Sequence, residues 1–380
     1  MKLKLTLILL ILIVVFGTGC WSSYELEDLA LVSAVGIDYE DNKYYLTIQI
    51  IRPEKIAQTS SENVTTTIYT SGATIFDAIR NASSYLSHKL YWGYLQIAIF
   101  SEDSLDKGLA VLTDCFIRDF EVRPIISIAV TEKKARELLK AKVALEDISG
   151  EGLNALFVTK QSLGKYVHTR FKEVTVSLSN EGKDFACTLL GTRDVEDETF
   201  IEVKGTSLFR RETFVGNIDT LTSRGLLWLM GQIEGGLIVI ENSEVESATL
   251  EITSASTKIK TKVENSKVSY EVNIKVVSNL GEQTGAIDPT IPKHWTNLTT
   301  AQAHHVQKEA AKALATIREL GSDPVGFGRL LRAFHPSIWF EIRDNWLEFY
   351  QTVPITINVN STLMTSGMNL GSVTIYGSLD

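Results

Sequence analysis

The stretch Leu26-Glu27-Asp28-Leu29-Ala30-Leu31-Val32-Ser33-Ala34-Val35-Gly36-Ile37-Asp38-Tyr39-Glu40-Asp41-Asn42-Lys43-Tyr44-Tyr45-Leu46-Thr47-Ile48-Gln49-Ile50 decides how the chain is read. It begins mostly apolar and passes through Asp38-Tyr39-Glu40-Asp41-Asn42, a run of turn formers. It returns with Leu46, Ile48 and Ile50 alternating with Thr47 and Gln49. Side chains of a strand leave opposite faces in turn, so a period of two marks a half-buried strand. The stretch therefore predicts a β-hairpin near the start of the folded body.

Downstream, strands and helices mix. Arg52 to Asn63 is polar and reads as a loop, and Thr65–Thr70 as a strand. Thr74 is a good N-cap with Asp77 three residues on. Ile75, Ala78, Ile79, Ala82 and Leu86 then share one helical face. Strands are predicted at Leu95–Phe100 and Pro124–Val130, and helices at Ser104–Phe120 and Lys133–Lys140. These elements make an α+β domain over 20–192, with two subdomains allowed, and the acidic run 193–199 reads as a linker.

The second half, 200–377, reads as another α+β domain. It opens with a hairpin, Phe200–Phe209 and Thr213–Ile218, followed by the very apolar Leu221–Met230. Strands follow at Leu237–Ile240, Ala248–Thr253, Thr257–Val263 and Val268–Val277. A long helix is predicted over 299–320, with Ala303, Val306, Ala310, Ala313, Ile317 and Leu320 as its stripe. Asp323-Pro324 starts a further helix, His335-Pro336 breaks it, and Ile355, Ile357 and Val359 alternate as a closing strand. The fold class is thus multidomain α+β, mixed sheets each packed with helices.

Upstream of the hairpin lies a lipoprotein signal pattern, assigned to 1–19. Lys2 and Lys4 are a positive n-region, and Leu5 to Phe16 is an apolar run shorter than the roughly 20 residues that span a bilayer. Gly17, Thr18 and Gly19 offer small side chains to a peptidase, and Cys20 follows as the predicted lipidation site. Gly17 stands where the bacterial lipobox usually has an aliphatic residue. The other reading of the segment is an uncleaved anchor, whose helix would have to run through Gly17, Gly19 and Cys20.

With 380 residues the chain exceeds one compact core. A net charge of −9 argues against nucleic acid, which is bound mainly by neutralising phosphates. It also argues against electrostatic adhesion to anionic lipid, which needs a basic cluster. Membrane attachment then falls to lipid chains, and the two chains of a diacylglyceryl cysteine hold where one is marginal. Outside the cell membrane Cys115 and Cys187 are free to pair. Cys115 also fits an apolar helical pattern with Leu109, Leu112 and Phe116, as a small buried hydrophobe.

Catalytic spacing is not found. Thr70-Ser71-Gly72-Ala73-Thr74 lacks the glycines and lysine of a phosphate-binding loop. His304 and His305 are adjacent, so on a helix they diverge by about 100° and cannot share a metal. No catalytic, cofactor or metal residue is assigned, and the chain is not read as an enzyme. Two apolar clusters fit either core or partner: Leu226-Leu227-Trp228-Leu229-Met230, and Trp339, Phe340, Trp346, Phe349 and Tyr350.

Five blocks in order resemble one family. They are Gly19-Cys20-Trp21 with Glu25-Leu26-Glu27-Asp28-Leu29-Ala30 and Gly36-Ile37-Asp38; Thr70 through Arg80; Lys89-Leu90-Tyr91-Trp92-Gly93-Tyr94-Leu95-Gln96; Arg224-Gly225-Leu226-Leu227-Trp228-Leu229; and Ser322 through Gly328. Together they resemble the Ger(x)C lipoproteins, the C subunits of GerA-type spore germinant receptors. The resemblance implies several mixed α/β domains, no enzymatic activity and no cofactor. It implies a place on the outer face of the inner spore membrane, held by the lipid on Cys20. The implied partners are the polytopic A and B subunits of a nutrient receptor that triggers germination. Two other readings stay open: a solute-binding lipoprotein that captures the nutrient itself, and a structural envelope lipoprotein.

Overall fold

The computed structural model describes residues 25, 28–52, 64–119, 121–160, 163–242, 245–265, 267–284 and 292–364. The leader, Cys20 and the end of the second predicted domain beyond 364 lie outside the described residues. The expected hairpin is β1 (Leu29–Glu40) and β2 (Lys43–Ile51), paired antiparallel. Its turn is the pair Asp41 and Asn42, at φ 48° and 59°. Two left-handed residues match the twist of a tight hairpin, and Asp and Asn tolerate that region. Asp38 therefore sits inside β1 and not in the turn.

The hairpin is part of a large mixed sheet. Its strands are β3 (Thr65–Gly72), β4 (Lys89–Tyr91), β5 (Ile97–Ser101), β6 (Ser127–Thr131), β7 (Thr169–Arg170), β8 (Ala186–Val195), β9 (Glu198–Arg210) and β10 (Thr213–Asp219), with β1 and β2. The order is β10-β9-β8-β6-β5-β1-β2-β3, with β4 on β1 and β7 on β6. The four central strands β1, β5, β6 and β8 run parallel, and antiparallel hairpins flank them. Every residue of β5 and β6 is buried, as parallel strands covered on both faces require. One face is covered by α1 (Ile75–Ala82), α3 (Leu109–Arg118) and α6 (Phe171–Ser179), the other by α4 (Ala135–Leu138) and α5 (Ser149–Lys160).

Three expectations need correction here. The helix predicted over 104–120 is two helices, α2 (Glu102–Leu105) and α3. Gly108, at φ 82°, breaks the run, because a left-handed residue cannot continue a right-handed helix. The linker predicted at 193–199 is the tip of the β8–β9 hairpin: Val195 pairs with Glu198 across a turn at Glu196 and Asp197. Its acidic residues belong to an exposed ribbon, so solvation resembled a linker in composition. Strands β9 and β10, placed by sequence in the second domain, complete the first sheet.

The second sheet follows α7 (Thr220–Met230). Its strands are β11 (Leu237–Asn242), β12 (Val245–Glu264), β13 (Lys267–Thr284) and β14 (Ile355–Leu363), in the order β11-β12-β13-β14. The two strands predicted over 248–263 are one 20-residue strand, β12, whose register shifts between Ile252 and Ser254. Between β13 and β14 come α8 (Pro292–Glu319), α9 (Phe327–Phe334), α10 (Pro336–Ile342) and α11 (Trp346–Thr352). The long helix thus starts at Pro292, a turn or two before the predicted cap, since a proline is tolerated where helix N–H groups lack partners anyway. Helices α7 to α11 cover one face of this sheet and share its core.

Candidate functional site

The assigned site residue, Cys20, lies outside the described residues, nine positions before β1 begins at Leu29. The quoted blocks that lie within the described residues can be placed. Each is a joint between elements.

Asp38, near the end of β1, accepts the backbone N–H groups of Ala135 (2.7 Å) and Arg136 (3.1 Å) at the start of α4. It is buried, and burial raises its pKa against those two bonds. The Thr70–Arg80 block joins β3 to α1. Thr74 Oγ1 accepts from Asp77 N–H at 3.1 Å, the cap foreseen from the spacing, whereas Asp77 Oδ2 reaches one residue past the cap and accepts from Ala73 N–H at 2.9 Å. In the Lys89–Gln96 block, Trp92 is buried edge-on to Phe116, and Lys89 pairs with Glu121 at 2.7 Å.

The Arg224–Leu229 block clamps α7 to α8. Arg224 Nε lies 3.1 and 3.0 Å from the two carboxylate oxygens of Glu309, and its Nη2 also donates to that group. Trp228 Nε1 donates to Glu309 Oε2 at 3.0 Å, and His305 lies 3.0 Å from Oε1. Burial would raise the Glu309 pKa, but the bonds from His305 and Arg224 outweigh it and hold the carboxyl below its usual range. Gly225 makes the approach possible: a Cβ there would sit 2.2 Å from the Glu309 carbonyl oxygen. Leu226, Leu227, Trp228 and Leu229 are all buried, so this apolar cluster is core. The second cluster divides. Trp339 and Tyr350 are buried, whereas Phe340 is 60% exposed.

The Ser322–Gly328 block joins the two sheets. Asp323 is buried, and its carboxylate accepts the N–H groups of Gly326 (2.8 Å), Phe327 (3.0 Å) and Gly328 (2.9 Å), gathering the chain into α9. Sequence placed the helix directly after Pro324. It begins at Phe327 because Gly326, at φ 87°, precedes it. Asp184, just before β8, accepts Asp323 N–H at 2.7 Å and Arg211 N–H at 2.8 Å. Burial, with the Asp184 charge nearby, pushes the Asp323 pKa to about 7 against its three N–H bonds.

The remaining candidates are structural. Cys115 and Cys187 are free thiols of one core, and burial raises both pKa values, that of Cys115 to about 11. Among the described residues no group of three His, Cys, Asp or Glu is placed to hold a metal ion, and no helix is long and apolar enough to cross a membrane. A depression of about 230 Å³ lies at the ends of β6 and β8, lined in part by Thr131, Lys133, Glu137, Thr192 and Asp194. Sequence reasoning missed the Asp184–Asp323 joint, since nothing local marks Asp184 as a partner 139 residues away.

Comparison with known proteins places this architecture. Spore germination protein KC of Bacillus subtilis (strain 168) is 24% identical, the alignment covering 95% of each chain. Spore germination protein GerQC of Bacillus cereus is 23% identical over 95% of this chain and 98% of that one. The crystal structure of the GerBC protein shares the fold, with a TM-score of 0.58 over 87% of this chain and 96% of that one at 18% identity. Residues 22–192 match the family described as the spore germination protein N-terminal domain, and residues 204–367 match spore germination B3/GerAC like, C-terminal. Two matches in series, with their edges on either side of the β8–β9 turn, leave few residues of the folded body outside, and the chain belongs to the GerAC family of spore germination proteins.

Proposed function

We propose that this chain is the lipid-anchored C subunit of a nutrient germinant receptor. A diacylglyceryl group on Cys20 holds it on the outer face of the inner spore membrane, where it assembles with the A and B membrane subunits. The observation that carries this reading is the order of the parts: a short charged and apolar leader, Cys20, a brief spacer, then a folded body matching the GerAC family along its length. Among the described residues no helix can cross a bilayer, whereas two acyl chains at roughly 0.8 kcal/mol per buried CH₂ would hold the chain to one. Solubilised spore membranes test it: the A and B subunits are expected to co-purify with this chain, and their absence from every such preparation contradicts the reading.

A second reading, capture of the nutrient by this subunit, draws on the depression beside β6 and β8. It lies at the carboxyl ends of parallel strands, where α/β sheets gather ligands, and Lys133, Glu137 and Asp194 are among the residues that line it. Thermal stabilisation of the chain by the nutrient would favour it.

A further inference from the structure

The second sheet has two unlike faces. One is packed by α7 to α11. On the other, the outward side chains of β12 and β13 from Ser256 to Glu264 and from Lys267 to Lys275 are exposed or half-buried. Alternation along β12 puts Lys258, Lys260 and Lys262 on this outer face, because Ile259, Thr261 and Val263 turn inward. The register continues the pattern across the sheet. Ser256 pairs with Lys275, Lys258 with Asn273, Lys260 with Glu271, and Glu264 with Lys267. Beyond them, Asn273 pairs with Asn358 and Lys275 with Asn360. The five lysines 258, 260, 262, 267 and 275 are exposed. Two glutamates accompany them, Glu264 and Glu271, and Glu271 is ion-paired with Lys262. A chain of net charge −9 thus carries a local positive field on one flat surface.

We infer that this lysine face lies against the anionic headgroups of the membrane to which the chain is anchored. The inference rests on the lipid-anchor reading above and adds the orientation of the body to it. The charge is complementary: each lysine near an anionic leaflet contributes about 1 kcal/mol. Its chemistry disfavours a protein partner. Between the lysines stand Ser254, Ser256, Asn273, Asn358 and Asn360, all polar. Protein interfaces have apolar or aromatic centres and are depleted in lysine, whereas adhesion to headgroups needs charge and no apolar centre. The acyl chains already supply retention, so what the patch adds is the choice of which face meets the headgroups. The overall charge concealed the patch, since acidic residues elsewhere outnumber it.

The test uses the unlipidated chain from Trp21 onward, which contains every described element, so its outcome does not depend on whether Cys20 is acylated. Sedimentation is measured with vesicles of phosphatidylglycerol mixed with phosphatidylcholine, and with phosphatidylcholine alone. Binding to the first and not the second is expected, with loss near 1 M salt, where the screening length is about 3 Å. Joint substitution Lys258→Gln, Lys260→Gln and Lys275→Gln is expected to weaken binding on the order of a hundredfold, about fivefold per lysine. Arginine at the same three positions is expected to preserve it. All three side chains are exposed, and an unchanged thermal midpoint will show that the variants fold. Equal binding by the glutamine variant overturns the inference, as does indifference to phosphatidylglycerol. Capture of an A or B subunit by this face, without vesicle binding, overturns it too and assigns the lysines to a protein.

Discussion

The carboxylate of Asp184 accepts the backbone N–H of Asp323 at 2.7 Å, and the N–H of Asp184 donates back to the Asp323 carbonyl at 2.9 Å. This reciprocal pair ties the first sheet, at the entry to β8, to the loop that launches α9 over the second. Asp184→Ala removes the acceptor for both Asp323 and Arg211 N–H. A buried donor left without a partner costs about 1–3 kcal/mol. A loss of roughly 2–4 kcal/mol in urea unfolding is expected, with the folded secondary structure retained. A change under 0.5 kcal/mol, the usual range of surface substitutions, would show that the two halves are held elsewhere.

The Arg224–Glu309 clamp should fail asymmetrically. Both side chains are 13% exposed. Glu309→Gln leaves the Arg224 charge without its carboxylate, a change worth about 3–5 kcal/mol when a buried pair loses one partner. Arg224→Lys keeps the charge but loses the fork geometry and the bond to the Leu237 carbonyl, so a smaller loss is expected. Chemical denaturation of the two variants side by side checks the order.

Gly225→Ala tests how closely α7 and α8 approach. The added methyl would lie 2.2 Å from a backbone oxygen of Glu309 and 2.7 Å from the Ala313 Cβ, so one helix must shift. Ala is the better helix former by about 1 kcal/mol, so intrinsic propensity alone would stabilise the variant. A fall in thermal midpoint is expected because overpacking, about 1–3 kcal/mol, exceeds that gain. A rise would mean the helices are not in contact there.

Two groups, the half-buried His168 and the buried Asp323, act on stability in opposite directions with pH. His168 lies beside the Phe157 ring and Ser127, and burial, aided by the Arg170 charge, lowers its pKa to about 4. Its contribution is full above pH 6.5 and is lost as pH falls through about 4. Asp323 has the opposite sign. With a folded pKa of about 7 against an ordinary 3.8, its contribution is full below pH 3.8 and is lost as pH rises through about 7. Between pH 4 and 6.5 the two effects oppose each other. In His168→Phe only the second remains, so that variant is expected to lose stability from the acid end of this window upward more steeply than the parent chain. Urea midpoints at both ends of the window read the difference.

Much of the fold is legible because local rules and tertiary packing agree. The alternation at Leu46, Ile48 and Ile50 and the left-handed pair Asp41–Asn42 give the first hairpin. Thr74 and Asp77 give the start of α1, and His335-Pro336 gives the break before α10. The misreadings occur where composition has two physical meanings. The run 193–199 is acidic because a hairpin tip is solvated, not because it links domains. Gly108 splits a helix whose apolar spacing runs on past it. The joints themselves were only half legible. The Arg224-to-Leu229 and Ser322-to-Gly328 blocks stand out in the chain, but their partners Glu309 and Asp184 are ordinary acids in sequence. The lysines 258, 260 and 262 did alternate in plain view, yet a net charge taken over the whole chain averages such a face away.

The central claim is the covalent lipid at the mature N-terminus. Mass spectrometry of the native protein, extracted from spore membranes and cleaved to its N-terminal peptide, tests it most directly. The peptide is expected to begin at Cys20 and to carry a diacylglyceryl group on the sulfur. A peptide that retains residues 1–19, or begins at Cys20 with an unmodified thiol, contradicts the account.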